Sequence, residues 1–157
     1  MSLAAPEIRS INGKGLRFGI AAARFNSALV DALLVRVTAG LEAAGVATAD
    51  ITVVRVPGSH EVPWAVQELA RAGRRHCVIG LGVLIAGDTS HHEMVGESVS
   101  HAFQQVTLTT RIPVINGVLV VNTLAQAKAR CTGKIDRGAE FAHAALEMAS
   151  LKPKFFR

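Results

Sequence analysis

The chain has no tyrosine and a single tryptophan, and aromatic residues fill only 4% of its 157 positions. A ring that falls beside polar residues therefore stands out, as Phe25 does, whereas Trp64 reads more simply as a core residue. Cysteine is almost as scarce. Cys77 and Cys131 form no CxxC pair and share no zinc-type spacing with histidines, which argues against a disulfide framework or a thiolate metal centre. No apolar run reaches the roughly 20 residues that cross a bilayer, so a transmembrane helix is set aside. The first residues lack a secretory-signal pattern, and the expectation is a cytoplasmic protein with both thiols reduced. Charged residues make up only 18% of the chain, with a net charge of +5. The densest basic group, Arg71, Arg74 and Arg75, has no interleaved aromatics, so no nucleic-acid partner is expected. A modest positive field does suit a small phosphorylated substrate.

Several chemical signatures are also missing. There is no GxxxxGK[ST] phosphate loop, and Gly80 and Gly82 sit inside an apolar run rather than after one, where a GxGxxG motif would have to lie. No GxSxG elbow presents a nucleophilic serine. These gaps predict a site that works with no bound cofactor and no metal.

What is present is a regular alternation. Apolar segments at Arg17–Ala23, Ile51–Val56, Cys77–Ile85 and Pro113–Val121 read as strands, each followed by a helical pattern. The helices are expected from Asn26 or Ser27 to about Ala44, from Ser59 or His60 to about Ala72, from Ser90 to Thr110, and from Thr123 to about Arg130. A bend over 132–138 leads to a last helix ending near Ser150. Ser90 with Glu93, and Thr123 with Gln126, fit capping boxes. Repeated βα units with continuous apolar strands predict an α/β fold, a three-layer αβα sandwich around a four-stranded parallel sheet of flavodoxin-like type. One domain spans 1–157, with an N-terminal arm or strand over 1–14. Apolar residues reach 50%, more than a chain of this size needs for its own core, which points to surfaces buried against other subunits.

In such folds ligands bind beyond the carboxyl ends of the strands, where strand order switches. Residues 24–27, 57–61, 86–92 and 121–123 are expected there. Phe25 offers a face for stacking on a flat ring, and Glu61, after the Pro57–Gly58 turn, can accept hydrogen bonds from hydroxyls. His91 can serve as general acid or base, since an imidazole ordinarily titrates near pH 6.5. His92 points about 100° away on the same helix and is the weaker candidate. Arg130 and Lys134 can clamp a phosphate. Each also has an ordinary explanation: Phe25 as a plug on the sheet end, Glu61 as a helix-dipole complement, His91 as a satisfied first-turn residue, Arg130 as a cap on its own helix.

Five segments in this order resemble the lumazine synthase family: GLRFGIAAARFN at 15–26, VPGSHEVP at 56–63, GVLIAGDTSHHE at 82–93, PVINGVLVVNT at 113–123 and AALEMASL at 144–151. The resemblance implies condensation of 5-amino-6-(D-ribitylamino)uracil with 3,4-dihydroxy-2-butanone 4-phosphate to 6,7-dimethyl-8-ribityllumazine. It implies that Phe25 stacks on the pyrimidine, that Glu61 with the backbone of Ser59 and His60 holds the ribityl chain, and that the backbone of Val83, Leu84 and Ile85 contacts the ring. Gly87, Asp88 and Thr89 would bind the phosphate and His91 would move protons. Arg130, Asn116 and Lys134 or Arg137 would reach in from a neighbouring subunit of a homopentamer. A 60-subunit shell is the expected larger assembly, with riboflavin synthase as a further partner. The bend after Arg130 is about one residue shorter than in cage-forming relatives, while the arm resembles the assembling type. Asn116, His60 and His92 stand where the family more often has aromatic residues. The alternative reading is a catalytically weak shell-forming or flavin-binding homologue.

Overall fold

The computed structural model describes residues 7–155 of the chain. Four parallel strands, β1 (Phe18–Ala23), β2 (Ile51–Val56), β3 (Cys77–Ile85) and β4 (Val114–Val121), form one sheet in the order β2-β1-β3-β4. Helices α1 (Ser27–Ala43), α2 (Val62–Arg71), α3 (His91–Thr110) and α4 (Leu124–Cys131) follow the strands in turn, and α5 (Arg137–Phe155) closes the described chain. Short 3₁₀ turns occupy Thr48–Asp50 and Ser59–Glu61. The expected α/β sandwich is therefore present.

Side-chain alternation divides the core into two layers. Phe18, Ile20 and Ala22 of β1 belong with Leu33 and Val37 of α1, Cys131 of α4 and Ala145 of α5. Ala21 and Ala23 face the other way, with Val62 and Val66 of α2 and Val99 and Phe103 of α3. Strand β3 runs between both layers with its first seven residues buried. Its glycines admit close neighbours. A methyl on Gly80 would collide with the Phe103 ring, and one on Gly82 would collide with Ser59 Oγ. The missing side chains let α3 and the Ser59–Glu61 turn settle onto the sheet.

Helix starts and stops depart from expectation in three places. Ser90 makes no side-chain cap to α3; the Oγ1 of Thr89 instead accepts from His91 N, at 3.4 Å. Asn26 precedes α1 in a left-handed conformation without capping it. Helix α5 continues past Ser150 to Phe155, through Pro153, which has no N–H to give the carbonyl of Ala149, so the last turn lacks one helical bond. The Thr123 cap holds: its hydroxyl accepts from Gln126 N, and Gln126 Oε1 accepts from Asn122 N rather than from Thr123.

The expected arm over 1–14 lies partly outside the described residues. From residue 7 onward it forms no strand before β1, and Gly13 N donates to Ala44 O at 2.7 Å. Among the described residues no helix is long and apolar enough to cross a membrane.

Both thiols are buried, and burial pushes each above its ordinary range, with nearby Arg36 and Arg130 opposing the shift at Cys131. Thiols held protonated in the fold ionise in the unfolded chain above about pH 8.5. The unfolded state then binds fewer protons, so stability declines as pH rises through that range. Urea midpoints from pH 7 to 10 are expected to fall above pH 8.5, with native thiols slow toward a chromogenic thiol reagent at pH 8. Fast labelling of both in the native protein would contradict this account.

Candidate functional site

The sheet order places β1 between β2 and β3, so the chain leaves β1 in one direction and returns on its other side. The crevice this opens at the carboxyl ends of the strands holds a cavity of about 580 Å³. Its walls are Phe25 and Asn26 after β1, residues 58–61 after β2, Val83, Leu84 and Ile85 at the end of β3, then Gly87, Thr89, His91, His92 and Val95.

The first wall is fixed by backbone bonds that prolong the β1–β2 pairing. Arg24 N donates to Val56 O at 2.8 Å and Phe25 N to Pro57 O at 3.1 Å. Asn26 adopts φ 54° and ψ 44°, a left-handed state that asparagine tolerates better than most residues. Its Nδ2 donates to Val83 O at 2.8 Å, tying the loop to β3. Phe25 is thereby held over the crevice with its side chain 74% exposed, where a packed ring would be buried.

The second wall is the Ser59–Glu61 turn. Glu61 Oε2 accepts from Gly58 N at 2.8 Å, so the carboxylate is anchored to its own turn at the cavity. His60 is exposed, whereas Ser59 is buried above Gly82. The third wall is the entry to α3. His91 is exposed, and His92 turns inward and is 9% exposed. His92 Nε2 lies 4.0 Å from Glu93 Oε1. Among the described residues no cluster of three His, Cys, Asp or Glu could hold a metal ion.

Of the residues singled out in the sequence, Phe25, Ser59, His60, Glu61, Val83, Leu84, Ile85, Gly87, Thr89 and His91 line this cavity. Asp88 sits in the same loop, exposed, but is not part of the lining. Asn116 lies on β4 five residues before the strand ends, about 16 Å back along it at about 3.3 Å per residue. There its Oδ1 accepts from Val118 N. Arg130 and Lys134 belong to the α1, α4, α5 side of the sheet, opposite α3. Arg130 Nη1 donates to Gln126 O at 3.1 Å, within its own helix. Lys134 sits in a turn gripped by Arg36, which donates to Thr132 O and Gly133 O. Arg137 is engaged by Glu140 and lies over the Phe141 ring. Among the described residues, no arginine or lysine lines the cavity from its own chain.

Asn26, Gly58, His92 and Val95 also line it. Asn26 reads as a helix cap in the sequence, and only the register of β3 reveals its bond to Val83. His92 is the weaker of two histidines on helical geometry alone. The burial of Val95, Val99 and Phe103 on α3 shows why it nonetheless lines the cavity: His92 shares the inward face at i, i+3, i+7 and i+11.

A family model described as 6,7-dimethyl-8-ribityllumazine synthase matches residues 15–153. The chain is 42% identical over 142 residues to a Ralstonia pickettii protein of that name, covering 90% of this chain and 84% of the relative. It is 40% identical over 152 residues to one from Thermococcus gammatolerans, covering 94% and 97%. A Xylella fastidiosa protein of the same name is 40% identical over 141 residues, covering 89% and 92%.

Replacing Asn26 separates its two contributions. Asn26→Ala loses the bond to Val83 and forces a strained φ, so it is expected to destabilise the fold by about 2 kcal/mol. Asn26→Gly loses only the bond, and its effect should be roughly half as large. Equal urea midpoints for the two variants would show that the left-handed backbone carries no strain.

Proposed function

The chain belongs to the 6,7-dimethyl-8-ribityllumazine synthase family, and on that premise we infer how its cavity performs the reaction. The protein is a transferase of riboflavin biosynthesis that condenses 5-amino-6-(D-ribitylamino)uracil with 3,4-dihydroxy-2-butanone 4-phosphate, with loss of water and inorganic phosphate. The observation that carries the reading is the convergence of Phe25, Glu61 and His91 on one cavity in a chain matched over residues 15–153. A shell-forming or flavin-binding homologue without turnover is not favoured, because the relatives matched across most of the chain bear the synthase name.

In this reading the exposed Phe25 ring stacks on the pyrimidine. The Glu61 carboxylate accepts hydrogen bonds from the ribityl hydroxyls, beside the backbone of Ser59 and His60. The end of β3, Val83 to Ile85, meets the ring edge. The phosphate lies in the exposed loop of Gly87, Asp88 and Thr89, before the positive end of α3. The nucleophile is the amine of the substrate itself, so no activated serine or cysteine is needed. That amine forms a C=N bond with the ketone and water leaves. Phosphate is then eliminated, the ribityl-bearing nitrogen closes onto the remaining carbonyl with loss of a second water, and His91 carries protons between these steps. Much of the acceleration comes from holding two small molecules in register, since well-oriented reactants can reach effective molarities of about 10⁵–10⁸ M.

Assembly with further copies of the chain completes the proposed site. The cavity has no cation of its own among the described residues, yet it has to hold a phosphate. Trp64, Met94 and Leu108 are exposed on the α2–α3 side, an apolar surface that fits burial against other copies. A homopentamer, in which Asn116, Arg130 and Lys134 or Arg137 of one subunit complete the cavity of the next, answers both features. A 60-subunit shell and contact with riboflavin synthase in the cytoplasm extend the same reading.

Purified protein mixed with both substrates is expected to form the lumazine, followed optically, faster than the spontaneous reaction; a rate equal to that background would end the enzyme reading. Arg130→Ala should raise KM for the phosphorylated ketone at least tenfold and leave KM for the pyrimidine within about twofold, the loss expected for one charge-assisted bond of about 1.5–3 kcal/mol. Equal loss toward both substrates would count against the phosphate role. Native mass measurement should return multiples of five chains.

A further inference from the structure

The bend between α4 and α5 is tied to both of its helices. Gly133 N donates to Lys128 O at 2.9 Å, Ile135 N to Ala129 O at 3.2 Å, and Arg137 N to Ile135 O at 2.9 Å. Asp136 Oδ1 accepts from Ala139 N at 3.0 Å, in the first turn of α5. One side chain from outside the bend joins these ties. Arg36, on α1, donates through Nη2 to Thr132 O at 2.9 Å and through Nη1 to Gly133 O at 3.2 Å. Its Nη1 also lies 3.4 Å from Asp136 Oδ1. The rigid fork of a guanidinium suits three acceptors set apart in this way better than the point charge of a lysine. Two glycines make the fit possible: a methyl on Gly138 would collide with Arg36 Cβ, and one on Gly133 with Ala129 O.

Both cations assigned to the phosphate adjoin this staple. Arg130 stands in the last turn of α4. Lys134 follows Gly133, whose carbonyl Arg36 holds, and precedes Ile135, whose N–H is tied back to α4. Among the described residues the exposed Lys134 ammonium has no hydrogen bond or ion pair. Asp136, two residues on, is engaged by Arg36; without that cation its carboxylate is left to draw Lys134 aside. We propose that Arg36 is a positioning residue for the phosphorylated substrate, because it fixes Lys134 relative to Arg130 and keeps the Lys134 ammonium free to meet the phosphate. Arg36 has its donors engaged by the bend and acts through Lys134. The proposal rests on the reading that Arg130 and Lys134 complete a neighbouring subunit's cavity, whereas the staple itself belongs to one chain.

Arg36→Met keeps the aliphatic stem beside Gly138 and removes the guanidinium. It is expected to raise KM for the phosphorylated ketone about 3- to 10-fold and leave KM for the pyrimidine within about twofold, since a charge-assisted bond weakens when its donor is no longer held in place. Arg36→Lys, which restores the charge without the fork, should fall between Arg36→Met and the wild type. Arg36→Met added to Lys134→Ala should raise the ketone KM no further, because residues that act through one another are not additive. Equilibrium dialysis of the assembled protein should show weaker binding of inorganic phosphate and unaltered binding of 6,7-dimethyl-8-ribityllumazine in Arg36→Met. A merely structural staple would lower the melting temperature and leave the two KM values in their wild-type ratio, which would overturn the proposal. Full additivity with Lys134→Ala would do the same. A ketone KM that rises in Lys134→Ala but not in Arg36→Met overturns the positioning role alone; if it rises in neither, the phosphate reading of Lys134 falls with it. Should Arg36→Met fail to assemble, a wild-type ketone KM and phosphate affinity in Arg36→Lys would overturn the proposal on their own.

Discussion

Strand β1 pairs on both sides, with β2 through one crossover and with β3 through the next, and the site is a product of that double pairing. A strand buried on both faces and both edges leaves its exit loop nowhere to go except over the sheet end. The loop is then clamped twice, by backbone bonds to Val56 and Pro57 and by the Asn26 amide on Val83. Phe25 is presented on a rigid shelf between the exits of β2 and β3. The Ser59–Glu61 turn beyond β2 and the entry to α3 beyond β3 supply the remaining walls, so three segments distant in sequence share one crevice.

The polar groups of this crevice are sorted by depth. His91, His60 and the loop at Asp88 and Thr89 are exposed at its mouth, while Ser59 and His92 are buried within it. Proton transfer and phosphate binding suit the wet rim, where charge is easily solvated. Cationic groups stand on the far side of the sheet, around α4 and the turn that Arg36 fastens. On the proposed reading a neighbouring subunit brings such groups to the rim, and a single chain carries two halves of two different sites.

Much of this is legible in the sequence for a simple reason. Continuous apolar strands, Pro57–Gly58, and the small polar cluster after Ile85 mark strand exits, and the rule for parallel sheets sends all exits to one edge. The features that stay hidden depend on tertiary contact. Ser90 and Glu93 have the spacing of a capping box, yet Ser90 makes no cap bond. Asn26 looks like a cap and is a cross-loop tie, since its partner is set by the register of β1 against β3. His92 ranks below His91 in the sequence because one helical step rotates a side chain by about 100°; the direction that rotation faces is decided by which side of α3 packs on the sheet. The last helix is expected to end near Ser150, and it instead runs its final turn through Pro153.

Gly82 carries a consequence for how this crevice could change over time. Its floor is defined by an atom that is missing, and the hydroxyl resting there has no slack to retreat. Gly80 is under the same restriction beneath Phe103. Enlargement of either residue would unseat an entire turn or helix, so descent with modification has little freedom along this strand. Adaptation to a bulkier or differently shaped guest is channelled instead to the outer lip, where Phe25 and His60 can be exchanged without disturbing what lies beneath.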